Sequence, residues 1–348
     1  LARAKWAFLS QHIGDLENYE TLQAFESGIA YFQRLFRVSP QLLAHDLHPN
    51  YLAARYALAR AEREGVPTLG IQHHHAHLAA CLADNGYVDD APVLGLIFDG
   101  AGYGADGAIW GGEALVGGYA GFERWRHLAY APLPGGDRAA REPWRMALAW
   151  LWQAGLNWEG LPPAQFPTPA QLTILRAQLH NQINAPLTSS LGRLFDALAA
   201  LAGLCPTVDY EAQAAIEFEA LVDEAEMGVY PVEIGARVID PAPLVRAVVD
   251  DVRAQVTRPV IAARVHNSLA ALALDLAQTA RQTRGLGTIA LSGGVWQNSA
   301  LLRRAYPLLT RAGFRVLIHR HTPPNDGGLA LGQAAIAAWA LHPSFKGL

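Results

Sequence analysis

Ile71-Gln72-His73-His74-His75-Ala76-His77-Leu78-Ala79-Ala80 places four histidines in five positions, followed by small apolar residues of good helix propensity. As a helix, this stretch sets His73 and His77 one turn apart on one face, with Cβ atoms about 6 Å apart. Two imidazoles at that spacing can hold one divalent cation from a single rigid element. His74 and His75 lie about 100° and 200° further round and face elsewhere. A solvated histidine run or an affinity tag would have the same composition. A tag sits at a terminus, however, and this run lies well inside a chain of 348 residues. The pair lacks oxygen ligands, which must come from elsewhere in the sequence.

Working outward, Thr68–Ile71 reads as a strand feeding the histidine helix, which ends near Asn85-Gly86. Before it, a helix is expected over 15–38, with Asp15 as its cap and Leu22, Phe25, Ile29, Phe32 and Phe36 at helical spacing. A short strand over Leu42 to His45 ends in the polar turn His45-Asp46-Leu47-His48-Pro49. Tyr51 to Glu64 reads as a helix stopped by Gly65. The opening stretch, Leu1 to Leu9, is apolar and strand-like without an initiating Met, so the chain reads as a piece of something longer.

After the histidine helix, Val93 to Phe98 is a continuous apolar strand. It delivers Asp99-Gly100-Ala101-Gly102-Tyr103-Gly104-Ala105-Asp106-Gly107, a loop whose exposed amides can approach phosphate. A strand near Ile109 then ends in Gly111-Gly112-Glu113, and another follows over Ala114 to Phe122. An ordinary glycine-rich hairpin has the same pattern. Arg138, Arg141 and Arg145 around Pro143 form an anion site or a solvated helix face. Residues 153–187 read as a peripheral insertion. Ser189 or Ser190 caps an apolar helix, and Tyr210 to Glu224 reads as another. Strands are expected near Val229–Ile234 and Arg237–Ile239, and a long helix over Ile261 to Arg284.

Thr288 to Leu291 is a buried strand ending in Ser292-Gly293-Gly294-Val295-Trp296-Gln297-Asn298, followed by a helix to Ala312. Phe314 to Ile318 is the last strand, leading to Asn325-Asp326-Gly327-Gly328 and an Ala-rich terminal helix. Three strands therefore deliver polar residues and glycines at their C-terminal ends, where α/β sheets place ligands. Asp99 and Asp326 are the carboxylates closest to those glycines and are the natural oxygen ligands for His73 and His77. Either aspartate alone reads more simply as a loop cap. A set of two histidines and two aspartates suits Zn or Fe(II) better than Mg, although Mg can accompany a nucleotide.

Composition narrows the function. The chain is 51% hydrophobic and 17% charged with a net charge of -4, so it carries no basic footprint for nucleic acid. Lysine occurs only at Lys5 and Lys346, which rules out a phosphate loop ending in Gly-Lys-Ser/Thr. Cys81 and Cys205 are too few for a disulfide framework or zinc ribbon, and a reducing cytoplasm fits. Cys81, one turn past His77, reads as a core residue. No run of about 18 apolar residues is present, so no membrane partner is expected.

Gln72-His73-His74-His75-Ala76-His77-Leu78, Phe98-Asp99-Gly100-Ala101-Gly102-Tyr103-Gly104, Trp110-Gly111-Gly112-Glu113, Gly192-Arg193-Leu194-Phe195-Asp196, Leu291-Ser292-Gly293-Gly294-Val295-Trp296-Gln297-Asn298 and Asn325-Asp326-Gly327-Gly328 occur in this order. Together they resemble the C-terminal part of the HypF family, the carbamoyltransferases of nickel-iron hydrogenase maturation. The set is also similar to the TsaD proteins of tRNA threonylcarbamoylation and to small-molecule O-carbamoyltransferases. The resemblance implies an actin-like ATPase fold, with two α/β lobes around a nucleotide cleft. Residues 1–91 with 322–348 would form the first lobe, and 92–321 the second.

The resemblance implies that His73, His77 and Asp326, joined by Asp99, bind a metal that touches the nucleotide phosphates. It implies further that Gly293, Gly294 and Asn298 hold the adenine end, and Gly192 and Asp196 the ribose. Glu211 would reach the nucleotide, although glycine rather than Ala212 is expected after it. Gly100, Gly102, Gly104, Gly111 and Gly112 would line the nucleotide. Arg193 stands where the tRNA-modifying relatives have Glu, which favours the HypF branch. In that branch an upstream YrdC-like domain makes carbamoyl-adenylate from ATP and carbamoyl phosphate. The implied reaction of this chain is the transfer half-reaction, from carbamoyl-adenylate to the C-terminal cysteine of HypE.

Overall fold

A computed structural model describes residues 1–14, 16 and 18–341. Helix α1, Tyr19–Phe36, begins where the Asn18 side chain accepts the Thr21 amide at 2.9 Å. The expected start at Asp15 lies outside the described residues. Strand β1 (Leu43–Asp46), helix α2 (Leu52–Glu64) and strand β2 (Thr68–Ile71) follow, with β1 and β2 parallel. Gly65 closes α2 at φ 67°, in the left-handed region glycine favours. The opening stretch is a small hairpin, Ala2–Arg3 against Trp6–Ala7, rather than one strand. Helix α3, His73–Asp84, is the histidine helix.

The main sheet contains β3 (Val93–Tyr103), β4 (Ile109–Gly118), β5 (Gly121–Leu128), β6 (Glu233–Ile234), β7 (Val238–Asp240), β8 (Thr288–Ser292) and β9 (Arg315–Leu317). Their order is β6-β7-β5-β4-β3-β8-β9, with two short strands completing the sheet beside β4. The β3-β4-β5 segment is an antiparallel meander, whereas β8 runs parallel to β3 and β9 parallel to β8. Strand β3 is continuously apolar because both of its faces are covered. Leu94, Leu96 and Phe98 enter one core, built with helices α4 (Pro143–Gln153), α5 (Leu191–Leu201), α6 (Ala242–Arg253), α7 (Arg258–Arg284) and α8 (Ser299–Arg311). Val93 and Ile97 enter the other core, under α3 and helix α9 (Leu329–Leu341).

Several expectations change. Residues 99–103 are not a loop: β3 continues through them with a bulge between Phe98 and Gly102, and the turn comes only after Gly104. The strands expected to break at Glu113 are one strand, β4, because both sides of Gly111-Gly112 pair with neighbours. Residues 153–187 are anchored, not peripheral, since Leu161, Leu175 and Leu179 are buried in the larger core. The helix expected over Tyr210 to Glu224 is only Gln213–Ala220. Helix α6 lies in a stretch for which no element was expected; the spacing of Leu244, Val245, Val248 and Val249 buries one helical face. Arg138 and Arg145 both pair with Glu142 and form no anion site. Helix α7 is long and apolar enough to cross a bilayer by length and composition alone, yet 67% of its most apolar window is buried inside the protein.

Helix α3 sits unusually close to its neighbours. Gly95 lets it approach β3, because a methyl group there would stand 2.9 Å from Leu78. Gly332 lets α9 cross it in backbone contact: a methyl group there would overlap the Ala76 carbonyl oxygen and stand 2.7 Å from the Ala80 nitrogen. Gly332→Ala is expected to cost about 1–3 kcal/mol by overpacking and to lower the melting temperature by several degrees. Gly287→Ala, at a glycine with nothing within 4 Å, is expected to leave it unchanged or slightly raised. Differential scanning calorimetry of the two variants distinguishes these outcomes.

Candidate metal and nucleotide site

Gln72 caps α3. Its Oε1 accepts the His75 amide at 2.9 Å, and its Nε2 donates to the Tyr103 carbonyl at 3.0 Å. The helix start is thereby tied to the end of β3. His73 and His77 then stand one turn apart with ring centroids 4.9 Å apart and planes at 70°, both fully buried. Their Nε2 atoms converge on two carboxylates. Asp99 Oδ2 lies 3.5 Å from His73 Nε2 and 3.3 Å from His77 Nε2. Asp326 Oδ1 lies 3.4 and 3.3 Å from the same two atoms. One ligand-type atom from each residue falls within 4.8 Å of the others.

The surroundings orient this set. Asp99 Oδ1 accepts the Gly294 amide at 2.8 Å, which turns Oδ2 toward the histidines. His73 Nδ1 donates to Asp46 Oδ2 at 2.8 Å, leaving Nε2 as the electron-pair donor. Asp46 is itself held by the His48 amide at 2.8 Å. Asp84, at the other end of α3, accepts the amides of Arg320, His321 and Thr322, and so holds the chain that leads to Asp326. His74 and His75 do not join the set. His74 is buried beside Trp110, and His75 Nε2 bonds to the Gly118 carbonyl at 2.7 Å.

Three of the converging atoms, His73 Nε2, His77 Nε2 and Asp99 Oδ2, are buried without a hydrogen-bond partner. Buried polar atoms of this kind are costly unless a ligand completes them. A divalent cation fits the donors present, since each Nε2 and each carboxylate offers a free electron pair. Burial alone lowers the His73 pKa, but Asp326, Asp46 and Asp99 carry it well above the usual imidazole value. Burial opposes charge on His77 too, and Asp99 and Asp326 raise it. Against burial, His77 and His73 hold Asp99 far below the carboxylate range, and the same histidines lower Asp326. Burial first, and the His73 charge second, keep His74 neutral.

Asp99 and Asp326 of the cluster form part of the wall of a cavity of about 1370 Å³, with the two histidines behind them. Asp99, Gly100, Gly192, Asp196, Glu211, Gly294, Asn298 and Asp326 line it. Among residues expected to contact a nucleotide, Gly102, Gly104, Gly111, Gly112 and Gly293 do not line it, and their small size has other causes. Gly102 gives room to His73 and His74, and Gly104 to Trp110. Gly111 and Gly112 pack against the backbones of Asp99 and Ser189, and Gly293, at φ 99°, against that of Phe98. Asn298 lines the cavity, but its side chain also caps α8 by accepting the Leu301 amide and contacts His266 Nε2 at 2.9 Å. Ala212 adopts φ 61° where glycine was expected, so the local conformation is kept at a steric cost. Cys81 is buried, and burial raises its pKa, so it stays a thiol.

Residues 95–333 match the family described as carbamoyltransferase, Kae1-like domain, second subdomain. Residues 1–84 match the HypF Kae1-like domain. The chain belongs to the HypF Kae1-like carbamoyltransferase family. Carbamoyltransferase HypF of Rhodobacter capsulatus is 44% identical over 98% of this chain and 45% of its own length. A HypF homolog of Cupriavidus necator is 37% identical over 97% of this chain and 87% of its own length. Full-length HypF, solved in a phosphate- and nucleotide-bound form, superposes with a TM-score of 0.88 at 38% identity, covering 96% of this chain and 52% of that one. The chain thus spans less than half the length of the first curated HypF relatives it matches.

Relative to what the HypF motifs indicated, the addition is Asp46. It stands at the end of a strand beside His48, a position that delivers functional side chains. Its bond to His73 crosses 27 positions of sequence, and no spacing rule reveals it. A carboxylate behind a ligating histidine fixes the ring and strengthens it as a donor. Asp46→Asn is therefore expected to weaken divalent-metal affinity about 10–100-fold, and His73→Ala with His77→Ala to abolish it. Titration of the purified chain with Zn or Fe(II), with metal content read by mass spectrometry, checks both. Protons compete with the metal for His73 and His77. Because the carboxylates raise both pKa values, affinity is expected to fall on acidification from a pH already above the ordinary 6.5. Titrations at stepped pH measure where the fall begins.

Proposed function

We propose that this chain carries out carbamoyl transfer in hydrogenase maturation, from carbamoyl-adenylate to the C-terminal cysteine thiolate of HypE. The observation that carries this reading is the converging set His73, His77, Asp99 and Asp326, with its unpartnered buried atoms, two of whose members line a large cavity. The relative solved with phosphate and nucleotide supports a nucleotide as the occupant. In this reading the cavity is the cleft of a two-lobed actin-like fold. Residues 1–91 and the C-terminal segment form one wall, and residues 92–321 the other.

The reaction is acyl transfer. The acceptor sulfur attacks the carbamoyl carbon, a C–S bond forms, the C–O bond to phosphate breaks, and AMP leaves with the electron pair. Zn or Fe(II), held by His73, His77, Asp99 and Asp326, would supply positive charge to the phosphoryl oxygens. The chain's own residues fix the geometry. Asp46 holds the His73 ring, the Gly294 amide holds Asp99, and Asp84 holds the loop bearing Asp326. Neither cysteine serves as nucleophile. Cys81 is buried, and burial with the neighbouring Glu217 pushes the Cys205 thiol up to about 12.

The test supplies synthetic carbamoyl-adenylate and HypE to the metal-loaded chain and reads thiol carbamoylation by mass spectrometry. Carbamoylation of the terminal cysteine, lost in a Cys→Ser acceptor and in His73→Ala, is the expected result. Transfer to tRNA or to an alcohol, but not to the thiol, would reject the reading.

A further inference from the structure

The cavity has a lopsided charge. Asp99, Asp196, Glu211, Glu219 and Asp326 line it, and among the described lining residues Arg193 is the only lysine or arginine. Arg193 is nearly enclosed, with 8% of its side chain exposed. The first turn of α5 presses it against the bulged end of β3. The Arg193 amide donates to Ser190 Oγ at 3.0 Å, and that hydroxyl donates to the Asp99 and Gly100 carbonyls at 3.0 and 2.6 Å. A methyl group on Gly100 would stand 3.9 Å from Arg193 Nη2 and 3.7 Å from Glu211 Oε1. The guanidinium therefore lies beside Gly100, one residue from Asp99.

Its bonding is incomplete. Nη2 lies 3.1 Å from Asp196 Oδ2, but the two are misaligned, so Oδ2 accepts no hydrogen bond, and Arg193 Nε donates none. A structural Arg–Asp pair of this burial is expected to be well aligned, because burying two charges is repaid only by good geometry. Here a buried donor and a buried acceptor are both left over behind the cavity wall, and the guanidinium is not locked to the carboxylate.

We propose that Arg193 binds the phosphoryl group of the nucleotide, its Nη atoms donating to phosphate oxygens beside the metal cluster. This rests on the reading of the cavity as an acyl-adenylate site. A guanidinium matches the planar, two-point geometry of a phosphate, and its charge offsets the repulsion between phosphate and the five lining carboxylates. Arg193 thus does for the phosphate what lysine does in many nucleotide sites, in a cavity that has none.

Calorimetric titration of the metal-loaded chain with AMP and with adenosine separates phosphate binding from base and sugar binding. Arg193→Gln is expected to weaken AMP about 10–100-fold and to leave adenosine within about twofold. Arg193→Lys keeps the charge but loses the fork, and is expected to show a smaller loss for AMP alone. It also serves if the glutamine variant melts early. Equal losses for AMP and adenosine would mean that Arg193 only shapes the wall, and would overturn the proposal. Unchanged AMP affinity, or no AMP binding by the unsubstituted chain, would overturn it too. If the split between the ligands appears while no carbamoyl reaches HypE, the transfer reading fails and the phosphate role of Arg193 stands.

Discussion

Desolvation governs this site. Two imidazoles and a carboxylate are enclosed, with an exposed second carboxylate beside them, and the facing atoms of the three enclosed groups are buried without a hydrogen-bond partner. Such a group of charges is stable only if proton or cation positions balance it. In the metal-free chain, protons on His73 and His77 fill that role. That contribution to stability is complete below the ordinary imidazole value and is lost as pH rises through the raised ones. A divalent ion replaces the protons with one compact charge. The rest of the fold can be understood as the apparatus that keeps water out while holding the ligands apart at the right spacing.

Helix α3 is the centre of that apparatus. Its start is tied to β3 through Gln72, its middle is crossed by α9 at Gly332, and its end grips the 320–322 loop through Asp84. All three ties reach segments that carry or flank the carboxylates. The histidines and aspartates are therefore positioned by one helix rather than by separate loops, which limits positional scatter.

The sequence made some of this legible and hid the rest for identifiable reasons. Helix α3 and strand β2 are visible because capping, apolar spacing and β-branched content agree. The juxtaposition of Asp99 and Asp326 with the histidines follows from strand ends meeting at one edge. Gly102 and Gly104 make room for His73, His74 and Trp110, and in sequence a glycine needed for side-chain room looks the same as one needed for phosphate. Helix α6 was hidden by its valines, whose strand preference is overridden by burial against α4, α5 and α7. Asp46 and the misaligned Arg193–Asp196 pair depend on orientation, which no one-dimensional pattern carries.

Gly332 also has a bearing on the order of assembly. The ligand set draws on β1, α3, β3 and the turn before α9, so its earliest and latest members are far apart along the chain. Contacts of such long range slow folding, although the entropy of closing the loop grows only slowly with its length. During synthesis the two histidines emerge long before Asp326, so at that stage the chain offers only part of the ligand set. Metal captured at that stage would be held loosely. The seating of α9 on Ala76, made possible by the missing side chain at position 332, ties the segment that follows Asp326 directly to the helix that bears both histidines.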